Sequence, residues 1–106
     1  MRTIDERIAA ELKGIVDGNG RLTRLPSKRK KLLYAVHYLA GKFEPNRRYT
    51  EREVNDLLCE WHTFGDPATL RRELYNGRYL DREQSGAFYW MEEHQPTLDE
   101  LEKKFG

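Results

Sequence analysis

Residues 66–91, Asp-Pro-Ala-Thr-Leu-Arg-Arg-Glu-Leu-Tyr-Asn-Gly-Arg-Tyr-Leu-Asp-Arg-Glu-Gln-Ser-Gly-Ala-Phe-Tyr-Trp-Met, constrain this chain more than any other stretch. Asp66 is a helix N-cap residue, and the ring of Pro67 pre-sets the φ of a first helical position, so a helix starts here. Leu70 and Leu74 give it one buried side, and Asn76-Gly77 stop it. Tyr79 to Glu83 and Ala87 to Met91 then read as two strands around a Gln84-Ser85-Gly86 turn. Just upstream, Thr50-x-x-Glu53 is a capping box. Val54, Leu57, Leu58 and Trp61 follow at the i, i+3, i+4, i+7 spacing of an amphipathic helix, and Gly65 closes the turn after it. A helix, a turn, a second helix with exposed arginines and a two-stranded ribbon is the order of a winged helix-turn-helix. That architecture puts one helix into a DNA groove. The expected fold is therefore α+β, mainly α: a winged helix-turn-helix with flanking N- and C-terminal helices.

The flanks complete one domain over residues 1–106. Thr3-x-x-Glu6 is a capping box for a first helix over 3–15, with Ile4, Ile8, Leu12 and Ile15 on one stripe. Asp17-Gly18-Asn19-Gly20 end it in a turn, and Arg21 to Leu25 read as extended. Pro26-Ser27 opens a second helix with Ser27 as N-cap and Leu32, Val36, Leu39, Ala40 and Phe43 as its buried stripe. Glu44-Pro45-Asn46 breaks that helix, and Tyr49 falls in a short extended piece. Thr97-x-x-Glu100 opens a terminal helix over 97–105, with Leu98, Leu101 and Phe105 inward. The two terminal stripes, taken alone, are free to pair and suggest a homodimer.

Composition excludes several classes. No apolar run approaches the roughly 20 residues of a membrane span, and the early residues lack the apolar segment of a secretory signal. Cys59 is the only cysteine, so no intrachain disulfide forms, and a reducing cytoplasm is the expected location. The net charge of +1 conceals an asymmetry. Residues 21–48 carry Arg21, Arg24, Lys28, Arg29, Lys30, Lys31, Lys42, Arg47 and Arg48 against a single acid, Glu44. A basic block of this kind attracts a polyanion through its local field even in a nearly neutral protein. The plain alternative is a solvated charged face.

Three groups are candidates for that contact. On the helix after Asp66, a 100° step per residue sends Ala68, Thr69, Arg72, Tyr75 and Asn76 outward, with Arg71 on the flank. Arg reads guanine, Asn reads adenine, and Thr reaches base edges or phosphate; the alternative is that Arg71 and Arg72 pair with nearby acids such as Glu73. Lys28, Arg29, Lys30 and Lys31 occupy the first turn of a helix, where the macrodipole disfavours cations and a bound anion would relieve them. Arg82 and the Gln84-Ser85-Gly86 tip of the ribbon reach toward a neighbouring phosphate or minor groove. Phe88, Tyr89 and Trp90 read as core and edge residues rather than a base-stacking platform.

Catalysis has little support, and no catalytic residue, metal or cofactor is assigned. His37, His62 and His94 are far apart in sequence. Cys59, His62 and Asp66 amount to half a metal site with no second pair to complete it. There is no nucleophile elbow, phosphate-binding glycine loop or zinc-protease motif, and the carboxylates are dispersed.

The motifs also carry a family resemblance. Gly20-Arg21-Leu22, Leu25-Pro26-Ser27-Lys28-Arg29-Lys30-Lys31, Tyr38-Leu39-Ala40, Phe43-Glu44-Pro45, Arg48-Tyr49-Thr50-Glu51 and Glu53-Val54-Asn55 resemble the bacterial domain of unknown function 2087. So do Ala68 to Leu74, Leu80 with Arg82, and Gly86 with Tyr89-Trp90. The resemblance covers about residues 15–91. It implies a transcriptional-regulator-like protein, since members are often described that way and some carry the domain behind a separate ArsR-like DNA-binding domain. It also implies that His62 and Asp66 cap and pin the following helix without a metal. The family usually has an Asp-Tyr-Gly-like turn after the position of Leu74; here Asn76-Gly77-Arg78-Tyr79 moves the glycine one place earlier.

The expected function is duplex DNA binding in bacterial transcription regulation. Thr69, Arg72 and Asn76 would meet base edges, and Lys28, Arg29, Lys30, Lys31, Arg71 and Arg82 would meet phosphates. The alternative is a winged-helix interaction or ligand-sensing module that does not touch DNA. Residues 49–106 favour that alternative through an excess of acids, thirteen against seven Lys/Arg.

Overall fold

The structure, a computed structural model, describes residues 5–105, the side chain of Phe105 excepted. Its elements are α1 (Glu6–Glu11), α2 (Arg29–Ala40), β1 (Tyr49–Thr50), α3 (Glu51–Glu60), α4 (Pro67–Asn76), β2 (Leu80–Arg82), β3 (Phe88–Met91) and α5 (Leu98–Phe105). The described residues form an α+β fold of five helices and one small sheet. The strand order is β1-β3-β2, antiparallel throughout, with Tyr49 opposite Tyr89 and Asp81 opposite Trp90. Alternation sends Tyr49, Tyr89 and Leu80 into the core and leaves Phe88 and Trp90 half-buried on the other face.

Local signals explain most boundaries. At α3 the capping box closes both ways: Thr50 Oγ1 accepts from the Glu53 N–H at 3.1 Å, and Glu53 Oε1 accepts from the Thr50 N–H at 2.9 Å. The Thr50 N–H, and after it the Thr50 hydroxyl, hold the Glu53 carboxyl below its ordinary range. Thr97 and Glu100 form the same box at α5, at 3.2–3.3 Å. Val36, Leu39, Val54, Leu58, Leu70 and Leu74 are fully buried and knit α2, α3 and α4 into one core.

Several expectations need correction. α2 begins one residue late: the first intrahelical bond runs from the Leu32 N–H to the Lys28 carbonyl, so Lys28 rather than Ser27 is the N-cap, and no side chain caps it. Its buried face is also wider, with Leu33, Tyr34 and Ala35 buried and Leu32 only half-buried, because neighbours cover it on several sides. β2 and β3 are each shorter than their sequence patterns. The expected helix over 3–15 is shorter too: α1 is capped by the Asp5 side chain and ends at Glu11. Ile15 lies beyond it, buried in a turn. Thr3 and Ile4 lie outside the described residues.

Ile8, Leu12, Leu98 and Leu101 are buried within the chain, where α1 and α5 both pack on α2. They are not free stripes. Arg7 joins the two helices, donating to Asp99 at 2.6 Å and to Glu102 at 3.5 Å. Among the described residues, no helix is long and apolar enough to cross a membrane.

Candidate nucleic-acid interface

α4 is fixed at its start, along its flank and at its end. At the start, the Asp66 carboxylate accepts the Thr69 N–H at 3.2 Å, and Pro67 sits in the first turn. The bonds from Thr69 hold the Asp66 carboxyl below its usual range. His62 is buried in the turn before it and uses both ring nitrogens: Nδ1–H donates to the Leu58 carbonyl, and Nε2 accepts the Asp66 N–H at 2.9 Å. The Leu22 backbone braces the same turn, donating to Trp61 O and accepting from the Thr63 N–H, both at 2.9 Å. Arg21 caps the end of α3, donating to the carbonyls of Cys59 at 3.2 Å and His62 at 2.8 Å.

Arg71 clamps the flank. Its guanidinium reaches back to α3, bonding Glu51 at 3.0 Å and Asn55, and its side chain is only 17% exposed. Its partner is not Glu73 of its own helix. The actual carboxylate comes from the preceding helix, whose register against α4 is invisible in a linear pattern. At the end, Gly77 is the C-cap with an ordinary φ of −81°, and the left-handed residue is Arg78 at φ 65°. The early glycine does not take the strained position; an arginine does.

The outward side of α4 presents Arg72, Tyr75 and Asn76 exposed, whereas Ala68 and Thr69 are half-buried. Beyond it the ribbon turns at 83–86, where the Glu83 N–H donates to Phe88 O at 3.0 Å and the Gly86 N–H to Glu83 O at 2.8 Å. Arg82, on β2, folds back toward α4 with its guanidinium 4.8 Å from the Tyr75 ring centre. Between helix and ribbon lies a cleft of about 250 Å³ lined by Arg71, Arg72, Tyr75, Asn76, Arg82 and Tyr89. Four of the nine expected contact residues meet here, with no carboxylate in the lining. Tyr89 and the clamp residues Glu51 and Asn55 were not expected; only the pairing of β3 with β2 brings Tyr89 beside Arg82.

The basic block of residues 21–48 does not form one patch. Arg21 is the α3 cap just described. Lys30 faces Glu11 of α1 at 3.7 Å. Lys42 lies over the Trp61 ring at 3.9 Å and over Tyr38 at 4.5 Å, and burial lowers its pKa. Arg47 pairs with Glu44 at 3.5 Å and Glu53 at 3.6 Å. Arg48 pairs with Glu83 and stacks 4.5 Å from Phe88. Lys28, Arg29 and Lys31 make no ion pair among the described residues. Those three, with Lys30, stand at an uncapped helix start and do not line the cleft.

A larger open groove of about 1500 Å³ lies elsewhere, lined by residues that include His37, Arg48, Asp81, Trp90, Glu92 and His94. The His37 ring touches Tyr79 edge-on, with Nδ1 and the phenol oxygen 3.0 Å apart. Burial pushes the His37 pKa below its ordinary value and the Tyr79 phenol up to about 12. Cys59 is an exposed thiol. The half metal site of Cys59, His62 and Asp66 does not assemble, because both nitrogens of His62 are spent on the backbone. Among the described residues, no three His, Cys, Asp or Glu side chains are grouped to hold a metal ion.

No curated protein and no solved structure matches the chain significantly. Residues 21–91, which run from the α3 cap Arg21 through the cleft to the end of β3, match the family model described as "uncharacterized protein conserved in bacteria (DUF2087)", and the chain belongs to that bacterial family.

Proposed function

We propose that this chain binds duplex DNA as a winged helix-turn-helix, with α4 as the groove-facing helix and the β2–β3 ribbon as the wing, in the service of bacterial transcription regulation. The element order and the strand order β1-β3-β2 support this reading. The observation that carries it is the cleft between α4 and the ribbon, where Arg71, Arg72, Asn76 and Arg82 come together without an acid. Arg72 is exposed and makes no ion pair among the described residues. Thr69, Arg72 and Asn76 supply the base-edge chemistry, and Arg82 with Lys28, Arg29, Lys30 and Lys31 supplies the backbone contacts. Arg71 is better read as the clamp that holds α4 on α3. Regulators of this type work as dimers on two-fold sites; the described apolar residues of α1 and α5 are spent internally and are not the proposed seam.

The test is fluorescence anisotropy with a random-sequence duplex at low and moderate salt. Binding at low salt that weakens steeply as salt rises is expected, because cations on the protein displace condensed counterions. Absence of binding at low salt overturns the proposal. It would favour the interaction or ligand-sensing alternative, to which the large groove around Trp90 and His37 lends its own support.

A further inference from the structure

We propose that the cleft between α4 and the ribbon is a preformed site for a single phosphate group, gripped by the guanidinium forks of Arg72 and Arg82 and by the hydroxyls of Tyr75 and Tyr89, with Arg71 as a positioning residue behind it. This deepens the DNA reading and rests on it only for the source of the phosphate. The site would take either a backbone phosphodiester or a free phosphate.

Four observations carry the assignment. The first is charge: three arginines and no carboxylate line the cleft. The second is size. A volume of about 250 Å³ falls below the roughly 300–1,000 Å³ of pockets that engulf small molecules, yet exceeds several waters at about 30 Å³ each, which suits one tetrahedral anion and its shell. The third is hydrogen-bond polarity. The phenols of Tyr75 and Tyr89 line the same cleft as the Arg72 and Arg82 guanidiniums, and each phenol carries an O–H that it can donate. An anion between them therefore finds phenol donors as well as guanidinium N–H groups. The fourth is preorganisation. Arg82 is laid over the Tyr75 ring, and Arg71 is anchored by Glu51 and Asn55, so the walls do not have to be ordered when the ligand arrives. Because Glu51 and Asn55 occupy the Arg71 guanidinium, that residue sets the α4 wall and leaves the ligation to Arg72 and Arg82. Arg72 thereby moves from the base-edge role to the backbone role, leaving Asn76 and Thr69 to face bases.

The experiment is an NMR titration of the full chain with sodium phosphate against sodium chloride at matched ionic strength, repeated with duplex DNA. Phosphate is expected to shift the Nε–Hε signals of Arg72 and Arg82 in a saturable way that chloride does not reproduce. The Arg72→Ala, Arg82→Ala double variant should bind phosphate about ten-fold more weakly or worse, and Tyr75→Phe should weaken it measurably while leaving the folded spectrum intact. Lys13→Gln, which removes an exposed cation outside the cleft, should bind phosphate as well as the parent. Shifts that follow ionic strength alone, or that centre on residues 28–31, overturn the site. Saturable phosphate binding at the cleft without duplex binding sinks the DNA reading and keeps the site, with free phosphate as its source. Duplex binding that the double variant retains in full keeps the DNA reading and sinks the site.

Discussion

Replacing His62 by alanine tests how α4 is held in place. The imidazole is buried and packs edge-on against Phe64 with ring centres 4.6 Å apart. It bridges the Leu58 carbonyl at the end of α3 and the Asp66 N–H at the start of α4. The two losses are unequal. Leu58 O keeps a second donor, the Trp61 N–H at 3.0 Å, so losing Nδ1–H costs only an ordinary bond, about 1 kcal/mol. The Asp66 N–H loses its acceptor in a half-buried turn, at about 1–2 kcal/mol. The missing ring leaves a void, adding about 1–2 kcal/mol for a side chain smaller than the large apolar residues. The sum is about 3–5 kcal/mol, a large fraction of the roughly 5–15 kcal/mol that holds a domain together. Urea denaturation should show a lower midpoint at an unchanged slope. His62→Phe, which keeps volume but neither ring hydrogen bond, should cost about 2–3 kcal/mol. A loss below about 1 kcal/mol for His62→Ala would refute the bridging role of the imidazole.

Four other outcomes are expected. Arg78→Gly should stabilise the fold by about 0.5–1 kcal/mol in chemical denaturation, because Arg78 holds φ 65° where glycine is unstrained; Gly77→Ala should do the opposite, since its Cβ would lie 3.0 Å from the Glu73 carbonyl oxygen. His37 sets a pH dependence: its folded pKa lies below the unfolded value of about 6.5, so the unfolded chain binds the proton first, and stability present above about pH 6.5 is lost as pH falls toward the folded value. His37→Gln should flatten the melting temperature between about pH 7.5 and 5.5. Neutralising residues 28–31 to glutamine should lower duplex affinity for every sequence and flatten the log K against log salt slope by up to about 3–4; an unchanged slope would remove these residues from the interface.

Much of this architecture was legible because its signals are local. Thr50 with Glu53, Asp66 with Pro67, and Thr97 with Glu100 are contacts within one turn, and the structure realises each of them. Leu70 and Leu74 are one turn apart and are both buried. What could not be read depends on partners far along the chain. Arg71 finds Glu51 and Asn55, Arg48 finds Glu83, and Lys42 finds Trp61; each pairing follows from how helices and strands stack. The basic block looked like one patch for the same reason: counting charges in a line ignores the carboxylates, rings and carbonyls that folding brings to them. The start of α2 was misplaced because Ser27 is a good cap by composition, whereas the Lys28 carbonyl makes the first helical bond. The cleft was half legible. Arg72, Asn76 and Arg82 were singled out by position, but the phenol of Tyr89 enters only through strand pairing.

Backbone amide shift mapping during titration with a short duplex at low salt tests the account most directly. The largest changes should fall on residues 67–77 and 82–89, the helix and ribbon that flank the arginine cleft. Changes centred instead on the groove around His37, Trp90 and His94, or no changes at all, would contradict it.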